Sequence, residues 1–192
     1  MTLFKNKYRI ESNRLLNWDY SSTARYFITI CTYKRQNLFG NIKDVNMHLN
    51  QFGKIVKKEW EASSVIRKEI FIIEFVVMPN HLHGIVFLKN ENDNQDGNIH
   101  SRIDGNAETH GNASLHIKTG IAYRPPQSIS SFIAGFKSSV TKQINLIRKT
   151  PGQSIWQTRF YDHVIRSEYD FNRIKIYIQN NPVTWKNDKY SE

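Results

Sequence analysis

The chain has 192 residues, 39% of them hydrophobic and 12% aromatic, with a formal net charge of +10. That is enough for one domain with a real core and marginal for two; no run approaches the ~18 apolar residues of a membrane span, and the polar, basic residues 1–14 are no secretory signal. The single cysteine, Cys31, excludes an internal disulfide and a cysteine-rich zinc site and fits a reducing cytoplasm. An excess of positive charge favours a polyanionic partner, usually nucleic acid. It is unevenly spread. Residues 89–124 hold four basic and five acidic side chains, so the rest of the chain carries +11.

Residues 1–24 read as an extended basic arm with Trp18 and Tyr20 interleaved. RYFITICTY, residues 25–33, is β-branched and aromatic and predicts a strand that buries Cys31. Residues 47–62 predict a helix with Leu49, Phe52, Val56 and Trp60 on one face. EIFIIEFVV (69–77) predicts a second strand, Met78-Pro79-Asn80 a tight turn, and HLHGIVFL (81–88) a third strand that closes a hairpin. Residues 90–127, rich in Asn, Asp, Gly, His and Ser, show no sustained period and read as a long flexible insertion. Helical spacing returns over 130–148, with Ile133, Phe136, Val140, Ile144 and Ile147 on one face and Lys137, Lys142 and Arg148 decorating it. Residues 154–166 predict a fourth, bent strand. Ser167 and Asp170 form a capping-box pattern, and the helix they start runs to about Asn181, where Pro182 stops it. The order predicts a single α+β domain: a ferredoxin-like split β-α-β sheet, antiparallel with helices on one face, plus a C-terminal helix. That fold hosts many functions.

Two constellations carry chemistry. Strand side chains alternate faces, so His81 and His83 project from one face while Leu82 enters the other layer. Two imidazoles so placed can chelate a divalent metal. On the last helix Arg173, Tyr177 and Asn181 are spaced by four and share a row, beside a core face of Phe171, Ile174 and Ile178.

The string VVMPNHLHGIVFL (76–88) resembles the histidine–hydrophobe–histidine signature of the HUH endonucleases. IWQTRFYDHVIRSEYDFNRIKIYIQNNPV (155–183) and the N-terminal stretch containing WDYSSTARYFITICTYKRQNLFG resemble the REP-associated tyrosine transposases, within the single-tyrosine, insertion-sequence-type transposase family. The likeness spans nearly the whole chain except residues 90–127, which are longer than the link the family leads one to expect. It implies that His81 and His83 are metal ligands, that Tyr177 is the nucleophile and that Asn181 is the third ligand. Trp156, Arg159 and Arg166 match recurring features without assigned roles.

The resemblance implies a metal-dependent single-stranded DNA endonuclease and strand transferase that acts beside DNA hairpins through a 5′-phosphotyrosine. The expected cofactor is Mg²⁺ or Mn²⁺, with imidazole ligands tilting the site toward Mn²⁺. Single-stranded or hairpin DNA would be gripped by Lys5, Lys7, Arg9, Arg14, Trp18, Lys137, Arg159, Arg166 and Arg173. Insertion-sequence relatives exchange catalytic helices in dimers and REP-associated ones act alone, so monomer and homodimer both stay open. Two other readings stand beside this one. The first is a catalytically silent DNA-hairpin-binding protein. The second is a metal hydrolase unrelated to nucleic acid that uses His81, His83 and His163, with Glu74 or Asp162 as its carboxylate.

Overall fold

The computed structural model describes residue 15 and residues 18–90, 124–188 and 190–191. Lys5, Lys7, Arg9, Arg14 and nearly all of the expected insertion lie outside these residues. The main sheet is built from β1 (Ala24–Cys31), β4 (Ile70–Val77), β5 (His81–Leu88) and β6 (Tyr161–Ile165), in the spatial order β4-β5-β1-β6. All three pairings are antiparallel. This is the α+β arrangement that the element order predicts. Between β1 and the first helix, β2 (Gly40–Lys43) and β3 (Asn46–Leu49) form a separate two-stranded hairpin.

That hairpin displaces a sequence expectation. Met47 and Leu49 belong to β3, and helix α1 runs over Gln51–Ile66 instead of 47–62. Asn50 is the physical reason for the start. Its Oδ1 accepts from the amides of Phe52 at 2.9 Å and Gly53 at 3.0 Å, satisfying two N–H groups that the helix itself leaves over. Helix α2 (Ile129–Arg148) begins with a reciprocal cap between Ser128 and Ser131 and ends at Lys149 in the left-handed region, φ 56°. Helix α3 (Glu168–Asn180) begins where the Ser167 side chain accepts from the Asp170 amide at 3.1 Å. The fourth strand is much shorter than 154–166: only Trp156 bridges to Thr32 before β6 begins at Tyr161.

The two faces of the sheet have different covers. Tyr26, Ile28, Ile30, Leu82, Val86, Leu88 and Val164 point toward the main core, where α1 and α2 contribute Val56, Trp60, Phe132, Phe136 and Val140. The opposite face is covered by α3. There Ile174 and Ile178 bury against Ile85 and Ile165, with Phe27, Val76 and Phe171 around them. A bulge in β4 between Ile72 and Glu74 resets the alternation, so Glu74 and Val76 pair with Ile85 and His83 on the α3 side. Among the described residues no helix is long and apolar enough to cross a membrane.

Trp60 is fully buried, with its ring 5.2 Å from Phe132 and 4.9 Å from Phe136. It lies directly behind Gly84, where an added Cβ would sit 2.6 Å from Trp60 Cζ2. An alanine therefore forces the indole or the strand to move. Gly84→Ala is expected to lower unfolding stability by roughly 1–3 kcal/mol through overpacking. A urea midpoint unchanged from wild type, at equal m-value, contradicts this account of the glycine.

Candidate active site

β5 is hydrogen-bonded to a strand on each side, so side chains on it sit in the middle of the sheet. His81 and His83, one strand repeat apart, both project to the α3 side, with ring centroids 4.4 Å apart and exposures of 0% and 1%. Burial leaves their Nδ1 atoms needing partners, and each has one. His83 Nδ1 lies 2.8 Å from Thr29 Oγ1, the residue opposite it on β1. His81 Nδ1 lies 2.8 Å from Asn80 Oδ1.

The Asn80 contact fixes a tautomer. The Asn80 Nδ2 group donates to the carbonyls of Arg35, at 3.2 Å, and Tyr190, at 2.5 Å. Its Oδ1 is therefore the acceptor, and His81 must carry its proton on Nδ1. That leaves Nε2 of His81 with a lone pair for a metal. Asn80, read from sequence only as part of a tight turn, is thus an orienting residue of the site.

Helix α3 delivers the other two expected residues. Tyr177 Oη is 3.1 Å from His83 Nε2, and the phenol is 36% exposed, open on one side. Asn181, the last-turn cap residue, is fully buried. Its Nδ2 donates to Asp188 Oδ2 at 2.6 Å, while its Oδ1 is buried with no hydrogen-bond partner among the described residues. A buried unpaired amide oxygen is costly and fits a site built to receive a cation.

Asp188 follows α3 by way of a 3-10 turn, Trp185–Asn187. Its Oδ2 is also 3.3 Å from Tyr177 Oη. One ligand atom each from His81, His83 and Asp188 lies within 4.8 Å of the others, so these three could hold a metal ion. Burial pushes the Tyr177 hydroxyl well above its usual pKa, and the neighbouring Asp188 charge and hydrogen bond add to the rise. Aromatic rings wall the site: Tyr190 at 4.8 Å and Trp185 at 5.8 Å from His81, and Phe27 at 5.3 Å from His83.

The four residues His81, His83, Tyr177 and Asn181, expected on separate sequence grounds, therefore meet. The remaining candidates do not join them. Lys137 turns its amine onto the carbonyls of Gln157, Thr158 and Arg159, at 2.8, 3.4 and 3.2 Å, and burial lowers its pKa to about 8. Arg173 pairs with Asp170 at 2.6 Å. The Arg166 guanidinium lies 5.9 Å over Trp18, which packs against the core and donates to Tyr26 Oη. Arg159 is exposed. The residues of the hydrolase reading are scattered as well. His163 pairs with Asp170 at 2.6 Å, Glu74 accepts from Gln179 at 2.8 Å, and the site's carboxylate is Asp188, which sequence reasoning passed over. No spacing rule links Asp188 to the helix row, because Pro182 and the 3-10 turn intervene.

The fold that presents this site is shared with a known class. A solved structure of a REP-associated tyrosine transposase bound to a REP hairpin is similar, with a TM-score of 0.55 at 20% identity over 89% of this chain and 73% of that one. The architecture is thus transposase-like. No protein-family model matches the sequence. A protein of Haemophilus influenzae, itself uncharacterised, is 35% identical over 180 residues, spanning 93% of this chain and 91% of its own length. The chain belongs to the same family as that protein.

The tautomer assignment is directly measurable. Long-range ¹H–¹⁵N spectra of the metal-free protein are expected to show His81 protonated on Nδ1, and Asn80→Leu to shift it toward the Nε2–H form. A wild-type His81 with its proton on Nε2 contradicts the orientation given to Asn80.

Proposed function

We propose that this protein is a metal-dependent single-stranded DNA endonuclease and strand transferase of the tyrosine-transposase type, acting beside DNA hairpins. What supports this most directly is the approach of the Tyr177 hydroxyl to within 3.1 Å of the buried histidine pair. A nucleophile and a metal-ligand set are held together by elements of a single chain. The +10 charge supplies the general attraction for a phosphate backbone. The hairpin bound by the structural neighbour suggests the kind of DNA involved.

His81, His83 and Asn181 would hold a divalent cation, and the donor set fits one. Both imidazoles are anchored through Nδ1, and the Asn181 Oδ1 is buried and unpaired. Two nitrogen donors favour Mn²⁺ over Mg²⁺. When bound, such a cation supplies Lewis-acid polarisation of a phosphate oxygen. Tyr177 is the nucleophile. Its Oη forms a bond to phosphorus as the bond from phosphorus to the 3′ oxygen breaks, and that oxygen leaves as a free 3′-OH. The phosphoester energy stays in the 5′-phosphotyrosine, so the 3′-OH of a second strand reverses the step without ATP. Phe27 packs edge-on against Tyr177 at 6.2 Å, on a phenol that lies against His83. A reducing cytoplasm suits the single thiol.

The test is incubation with single-stranded DNA flanking a hairpin and Mn²⁺, followed by mass analysis of the adduct. Tyr177→Phe is expected to reduce adduct to background, while Tyr161→Phe and Tyr169→Phe keep it. His81→Ala and His83→Ala should also abolish cleavage yet change DNA affinity by less than about threefold, since affinity comes from dispersed basic residues. An adduct mapped to another tyrosine, or undiminished in Tyr177→Phe, overturns the assignment.

A further inference from the structure

Asp188 is held more firmly than an ordinary residue after a helix stop. Its amide donates to the Trp185 carbonyl at 3.0 Å, and its Oδ1 accepts from the Tyr190 amide at 2.8 Å. The Tyr190 carbonyl in turn accepts from Asn80, and the Tyr190 ring lies against both histidines, 4.8 Å from His81 and 5.6 Å from His83. One carboxylate oxygen is thereby committed to holding the segment. The other, Oδ2, faces the site.

Around Oδ2 are groups without a fixed charge: the Asn181 amide at 2.6 Å, the Tyr177 hydroxyl at 3.3 Å and the two imidazoles. No Lys or Arg forms an ion pair with Asp188 among the described residues. A half-buried carboxylate without a counter-charge is unfavourable, and two imidazoles and an amide carry no charge to set against a dication. These two imbalances cancel if a cation sits among them. The buried, unpaired Asn181 Oδ1 points the same way independently. Because Asn181 Nδ2 donates to Asp188, the amide is locked with its oxygen as the remaining donor.

We propose that Asp188 is a fourth ligand of the metal centre, supplying its one anionic donor, and that it also orients the Asn181 amide and the Tyr177 hydroxyl. This deepens the metal-dependent reading above and rests on it. The C-terminal segment is then part of the catalytic centre. Asp188→Asn keeps the shape and the acceptor for the Tyr190 amide, but it removes the charge and replaces the Oδ2 acceptor by a donor facing the Asn181 amide, so its effect is read together with the variant-free measurement below.

The test uses the full chain without DNA. Mn²⁺ binding is followed by loss of the free-ion EPR signal and by calorimetry, with thermal unfolding as the check on folding. Asp188→Asn is expected to weaken Mn²⁺ at least about tenfold, the scale on which metal-site partners act. Adduct formation should fall at low Mn²⁺ and recover at high Mn²⁺. A Kd within twofold of wild type overturns the proposal. So does faster adduct formation, which would mean that the carboxylate obstructs the phosphate instead of serving the metal. A second measurement needs no variant. Wild-type protein labelled with ¹³C at the aspartate carboxylates is expected to show a ¹³C hyperfine coupling to bound Mn²⁺, and its absence overturns the proposal equally. If wild type binds Mn²⁺ with this coupling but forms no adduct, the endonuclease reading fails and the ligand assignment stands. If wild type forms adduct and Asp188→Asn is unchanged, the reverse holds. Wild type that binds no Mn²⁺ overturns the ligand assignment outright.

Discussion

The strict alternation of side chains along β5 is the constraint on which the site depends. Because β5 pairs with β4 on one side and β1 on the other, its backbone polar groups are satisfied and its register is fixed across three strands. A slip of one residue would send both histidines into the main core and Leu82 into the site. Trp60 behind Gly84 guards against that slip, since the only residue of the strand small enough to face the indole is the glycine between His83 and Ile85. The histidine pair is positioned by packing on the opposite face as much as by its own contacts.

Helix α3 must then bring Tyr177 and Asn181 to that strand, and it is fixed differently along its length. At its start the ties are polar and partly exposed: Arg25 with Glu168, His163 with Asp170, and Arg173 with Asp170. Burial alone would raise the Asp170 carboxyl, but hydrogen bonds and charge from His163 and Arg173 outweigh it, so its pKa lies below the usual carboxylate range. Such surface pairs contribute little stability each. Burial of Ile174 and Ile178 supplies more, about 1.5–3 kcal/mol per side chain when complete. Those isoleucines are spaced by four, as are Tyr177 and Asn181. The apolar row that docks the helix therefore also sets the rotation of the row that carries Tyr177 and Asn181.

The parts of this arrangement legible in the sequence are those governed by a local period. Alternation put His81 and His83 on one face, helical spacing put Tyr177 and Asn181 on one row, and the order of elements led to the sheet. Features set by contacts remote in sequence were not legible. The β2–β3 hairpin turns at Asp44-Val45, both with positive φ, at 49° and 56°. A β-branched residue there is rare, and no Asn-Gly or Asp-Gly marks the turn. Met47 and Leu49 then blend into the period of α1. The stretch 157–159 looks like strand, but after the bond from the Gln157 amide to the Cys31 carbonyl its carbonyls meet the amine of Lys137 instead of a ladder. Asp188 comes seven residues after Asn181, a spacing that would share a row only if α3 continued; the helix ends at Asn180, and the turn after Pro182 returns Asp188 to the site.

Electrostatics at this site operates on two scales. Over the whole chain the excess is positive and diffuse, as a phosphate backbone requires. Within the site the described charge is negative and local, on one oxygen of Asp188 beside two imidazoles, an amide and a phenol. Arg35 lies nearby, its guanidinium 5.3 Å over the ring of Tyr190, which itself packs 4.8 Å from His81. Asp188 thus lies beside the two imidazoles with no ion-paired lysine or arginine among the described residues, an arrangement that could hold a metal ion. Burial does most to raise the Tyr177 pKa and the Asp188 charge adds to it, so the oxygen that lies beside the histidines also bears on the phenol.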